Sequence, residues 1–78
     1  MKSFKIALNS ISDVKSFVTA ASSLPCDIDV VSGRYVIDAK SIMGLFSIDL
    51  SKPVEINIHG TEGDIEKFEL LISDYLIK

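Results

Sequence analysis

At 78 residues, 47% of them hydrophobic and 24% charged, the chain sits where one core only just offsets chain entropy, so residues 1–78 read as a single domain. A net charge of −3 does not suit a nucleic-acid binder, which needs clustered Lys and Arg to displace counterions from phosphate. The lone cysteine, Cys26, does not fit a disulfide-stapled secreted module, and no run has the length of a signal peptide or a membrane span. A cytoplasmic protein with no membrane contact is expected, with Cys26 a small buried hydrophobe after Pro25.

In chain order, residues 3–8 (SFKIAL) alternate, with Phe4, Ile6 and Leu8 on one face, as in a half-buried strand. The small polar run NSIS then suits the end of a strand and the cap of a helix. Over residues 13–23, Val14, Phe17, Val18 and Ala21 recur at helical spacing, and Pro25 helps to stop that helix. DIDVV and RYVID, joined by Ser32–Gly33, read as a β-hairpin.

Residues 41–47 supply about two helical turns, with Ser41 as the capping residue. Lys52–Pro53 breaks the chain before VEINIH, in which Val54, Ile56 and Ile58 face one way. His59, the sole histidine, ends that strand on the open side of the sheet. Thr61 and Asp64 form a capping box for a last helix whose inner face is Ile65, Phe68, Leu71, Ile72 and Tyr75, expected to reach the C-terminus. The order is β-α-β-β-α-β-α, an α+β chain. Its economical solution is an open-faced β-sandwich with three helices over one face of a four-stranded antiparallel sheet.

Chemistry-bearing motifs are sparse. No His/Cys cluster has metal-ligand spacing, and there is no catalytic dyad, Gly-rich phosphate loop or carboxylate pair in an evident cleft. Neither a metal, a cofactor nor an enzymatic activity is expected. Asp27, Asp29 and Asp38 alternate along strands, as on a solvated face.

The run KSIMGLFSIDL (residues 40–50), followed by VEINIHG, resembles HPr, the small phosphocarrier of the bacterial sugar phosphotransferase system. FKI near the start and the helix ending before DIDV fall in matching places. The resemblance implies an HPr-like sheet of order 1-4-2-3 and two phosphorylation positions.

At the first position, the family carries His-x-Arg-Pro at the mouth of helix one. An ungapped match puts Ser12 where that histidine belongs, with Val14 and Lys15 in place of the arginine and proline. A phosphoimidazole keeps high transfer potential, because imidazole leaves readily; a serine phosphate is a poor donor. The lost arginine also removes a bidentate phosphate clamp. Ser12 is therefore expected to act only as a helix cap.

At the second position stands Ser41, which the resemblance makes the phosphorylation candidate. Many Gram-positive HPr proteins are phosphorylated on the matching serine by a kinase/phosphorylase, and the phosphoserine form binds a catabolite-repression regulator. One branch lacks the histidine, keeps the serine and acts only in regulation; this chain is similar to it. The helix start and Lys40 would hold the phosphate. Ile42, Met43, Leu45 and Phe46 cannot all point inward from two turns, so an exposed apolar patch is expected beside Ser41. Together with Lys15, Thr19 and Lys40 these residues make up the expected partner-docking face, for an HPr kinase/phosphorylase or a transcriptional regulator. Two alternatives remain: a working phosphocarrier that uses another residue such as His59, and an HPr-fold scaffold for an unrelated protein.

Overall fold

The alternating and helical patterns each find their element in the computed structural model, which describes residues 2–77. The order is β1 (Lys2–Ile6), α1 (Ile11–Ser22), β2 (Asp27–Ser32), β3 (Tyr35–Asp38), α2 (Ile42–Phe46), β4 (Val54–His59) and α3 (Glu62–Leu71), then a 3₁₀ turn at Ser73–Tyr75. All pairings are antiparallel and the strand order is β1-β4-β2-β3. This is the α+β, HPr-like arrangement expected from the chain.

Alternation sets the layers. Val54, Ile56 and Ile58 of β4 and Ile28 and Val30 of β2 are buried, while the intervening residues face away from the helices. Phe17 of α1 and Phe68 of α3 meet edge to face beneath them, ring centroids 5.7 Å apart. Every buried residue among those described is apolar, Cys26 included. The core therefore holds no polar group that needs a partner.

Three local expectations shift. The hairpin turn is Gly33–Arg34, not Ser32–Gly33, because Ser32 still pairs with Tyr35. Gly33 has φ +59° and no non-glycine residue has a positive φ, so only the first turn position is left-handed, the type II′ pattern. The last helix stops at Leu71, which is 48% exposed, and does not run to the C-terminus. After the 3₁₀ turn, residues 75–77 run along the outer edge of β1. There Ala7 N–H donates to the Tyr75 carbonyl (2.9 Å), and Ile77 N–H donates to the Lys5 carbonyl (3.0 Å).

The third correction concerns Ser12. α1 begins at Ile11, two residues earlier than the apolar spacing indicated, and its cap is Ser10. Ser10 has extended backbone (φ −146°, ψ 165°), and its hydroxyl accepts from Asp13 N–H at 3.1 Å. The Asp13 carboxylate in turn accepts from Asn9 N–H at 3.0 Å. Both ends of that exchange put the cap two residues before Ser12.

Candidate functional site

Two helix mouths and the surface between them carry the residues singled out by sequence. At the first, Ser12 is exposed in the opening turn of α1, next to Ile11, which is 64% exposed. Ile11, Lys15 and Thr19, spaced four apart, line one outer face of α1, and the Thr19 hydroxyl donates to the Lys15 carbonyl. Below Ile11 lies an open groove of about 390 Å³ lined by Leu8, Ile11, Val14, Phe46 and Leu50 with Asn9, Ser10 and Ser51. Its floor is core; its rim is the start of α1 and the end of α2.

Ser51, at the groove's edge, is organised by Asp49. The Asp49 carboxylate accepts from the Ser51 hydroxyl (2.5 Å) and backbone N–H (2.9 Å). Those bonds, the side-chain one foremost, hold the Asp49 carboxyl below the usual aspartate range.

At the second mouth, Ser41 caps α2: its exposed hydroxyl accepts from Gly44 N–H at 3.3 Å. The glycine in this apolar run has a packing cause. A Cβ on Gly44 would stand 2.7 Å from Ile37 Cγ2 and 3.2 Å from Ser41 Oγ, so α2 rests on β3 through its backbone. Met43 is 79% exposed and Phe46 44%, and Ile42 is half-buried against the core.

Two of the expected docking residues are placed otherwise. Leu45 is fully buried and belongs to the core, since only one stripe of so short a helix can face inward. Lys40 is half-buried, and its Nζ donates to the Leu24 carbonyl at 3.0 Å, tying the approach to α2 to the end of α1. One of its three N–H donors is thus spent on Leu24, which holds the ammonium toward the end of α1. Lys15 and Thr19 border a second open groove with Ser16, Ala20, Ser23 and Leu71, separate from the one that Phe46 lines.

His59 has a partner that its sequence neighbours did not reveal: its Nε2 lies 3.0 Å from Asp29 Oδ2, across on β2. Asp27 and Asp38 share that patch on the open face of the sheet. In register, α1's mouth follows Ile6, which pairs with Val54, whereas His59 ends β4 five residues on. That separation is about 17 Å of strand. No group of His, Cys, Asp and Glu among the described residues has the arrangement of a metal site.

The candidate residues thus lie on open grooves and exposed helix starts, apart from the His59–Asp29 pair. The comparisons give the chain its family. A family model described as "PTS HPr component phosphorylation site" matches residues 13–73, and the chain belongs to this HPr family of the sugar phosphotransferase system. Its proteins are phosphocarriers that work with other proteins of that system, and are not themselves enzymes.

Among solved structures, HPr-C-His from Thermoanaerobacter tengcongensis is similar at 28% identity and TM-score 0.77, over 95% of this chain and 93% of that one. A phosphocarrier protein HPr from Bacillus anthracis shares the fold at 22% identity and TM-score 0.72, covering 95% of both chains. So does a histidine-containing phosphocarrier protein of Mycoplasma, at 16% identity and TM-score 0.72 over 94% of this chain and 93% of that one. No curated protein matches by sequence. No helix among the described residues is long and apolar enough to cross a membrane.

Proposed function

We propose that this chain is a regulatory, protein-binding HPr that receives phosphate on Ser41 and does not relay phosphate through a histidine. In this reading residues 1–78 act as one HPr-like domain in the bacterial cytoplasm. The observation that carries it is the exposed, capping hydroxyl of Ser41 at the start of α2, together with a hydroxyl and no imidazole in the first turn of α1. By the ungapped match, Ser12 takes the place of the family histidine, with Val14 and Lys15 for the arginine and proline, and the only imidazole pairs with Asp29 at the far end of β4.

A serine at position 12 can at most form an ester, whose alkoxide is a poor leaving group, so onward transfer to another protein is disfavoured. Ser41 has what an acceptor needs: an exposed hydroxyl beside Gly44 N–H, with Met43 exposed next to it. A phosphate there would bring about two negative charges and three acceptor oxygens to the start of α2, where the Gly44 N–H can still donate. The partners are proteins: an HPr kinase/phosphorylase that writes the mark, and a transcriptional regulator that reads it. The reader's contact surface is the exposed face of α1 (Lys15, Thr19) with Ile42, Met43 and Phe46.

The test is kinase labelling. With HPr kinase/phosphorylase and ATP, wild type and Ser12→Ala should each take up one phosphoryl group, and Ser41→Asn none. Asparagine keeps an N-cap while removing the hydroxyl, so loss of label cannot be put down to a frayed α2. Undiminished label in Ser41→Asn would overturn the assignment.

A further inference from the structure

The two edges of the sheet are treated differently. β1 is covered by residues 75–77, with Ile6 bridged to Leu76. β3 is the other edge, and no strand lies beyond it among the described residues. Ala39 N–H donates to the Ile28 carbonyl at 2.9 Å, which makes Ile28 and Ala39 a hydrogen-bonded pair. In an antiparallel ladder such pairs alternate, so Val30–Ile37 and Ser32–Tyr35 are bonded likewise. Val36 therefore turns its N–H and C=O away from β2, out of the sheet.

Side chains at this edge are unusual for one left in water. Val36 is 64% exposed and Tyr35 68%. β3, YVID, is only four residues long and ends on the charge of Asp38, but it has no lysine, proline or bulge to keep it from pairing.

We propose that β3 pairs with β3 of a second copy of this chain, antiparallel about a two-fold axis through Val36. Hydrogen-bond direction and charge together select the register. Odd offsets set an outward-facing residue against an inward-facing one and form no bonds. With Val36 opposite its own mate, both N–H and both C=O groups at the axis are satisfied. Arg34 of each copy, in the turn next to β3, then lies beside Asp38 at the end of the other copy's β3, and Tyr35 lies opposite Ile37. Sliding by a further pair of residues brings Val36 against Asp38 and sets Arg34 against Lys40, a like-charge pair. The central register alone is self-complementary in charge.

Sedimentation across concentration tests this with a charge exchange. Arg34→Asp and Asp38→Arg should each weaken self-association about tenfold or more, because every pair in the homodimer then repels. An equimolar mixture of the two variants restores both pairs as attractive and should associate about as well as wild type. Asp38 also accepts from Lys40 N–H, so its variant is checked for fold by circular dichroism. Val36→Pro provides a second route, since the N–H it removes points away from β2; with its fold checked by circular dichroism, it should abolish the dimer. A wild type that stays monomeric to millimolar concentration would overturn the proposal. So would a dimer indifferent to Val36→Pro, or a mixture no tighter than its components.

Discussion

Ser10, Ser12 and Ser41 are one residue type with different fates, decided by backbone. Ser10 and Ser41 sit just outside their helices in extended conformation, where the hydroxyl reaches the amide three residues on. Ser12 lies inside the first turn and cannot do so. The sequence showed that a small polar residue in NSIS would cap α1, but assigned Ser12, because the choice depends on where Asp13 bonds back, to Asn9 N–H. The partner of His59 was likewise hidden: Asp29 lies thirty residues away, and only strand register brings it near. Asp49 gives the residue scale its pH dependence. Its folded-state pKa lies below the unfolded value, so its contribution to stability is complete above the ordinary aspartate range and is lost as pH falls through the lowered value. By NMR titration, the Asp49 carboxyl should have a midpoint below that of an unfolded aspartate, and Ser51→Ala should raise it. A midpoint unmoved by Ser51→Ala would show that the Ser51 bonds are not the cause.

At the scale of elements, α2 is held by contact more than by its own length. Five residues are too few for a helix to persist alone; the Ser41 cap, the buried Leu45 and the close seat of Gly44 on Ile37 keep it in place. Gly44→Ala sets two effects against each other. Alanine gains up to about 1 kcal/mol in helix propensity, but its Cβ would meet Ile37 Cγ2 at 2.7 Å, and that branched methyl cannot swing clear as a long side-chain tip would. Overpacking of this kind costs about 1–3 kcal/mol, so with the propensity gain set against it the variant should be less stable by up to about 2 kcal/mol in chemical denaturation. A more stable Gly44→Ala would mean that α2 does not press on β3. The capping box at Thr61–Asp64 was legible in sequence and is formed, with bonds of 3.2 and 3.3 Å in the two directions. The edge segment at residues 75–77 was not legible, because Ile72 and Tyr75 continue the helical spacing of α3 and nothing local marks the stop. It is the free edge of β1, a tertiary fact, that draws the chain out of the helix.

At the scale of the whole molecule, the periodicities of two and 3.6 were enough for element order and for which faces are buried, since a small chain has one way to hide four half-apolar strands. Strand order 1-4-2-3 was an implication of the HPr resemblance, and the sheet has it. The candidate docking surface was less legible. Which of Ile42, Met43, Leu45 and Phe46 turn outward, and where the Lys40 ammonium points, depend on how α2 sits against α1 and β3, and the Leu24 carbonyl accepts from the Lys40 ammonium. In the proposed reading, what would separate this chain from a working phosphocarrier is the chemistry at one helix mouth, and a phosphoryl donor can interrogate it. The most direct measurement is intact-mass spectrometry after incubation with phosphoenolpyruvate and enzyme I, compared with incubation with ATP and HPr kinase/phosphorylase. The expected result is no phosphate from the first donor and one acid-stable phosphoryl group, mapped to Ser41, from the second. An acid-labile phosphate acquired from phosphoenolpyruvate and lost in His59→Ala would contradict it.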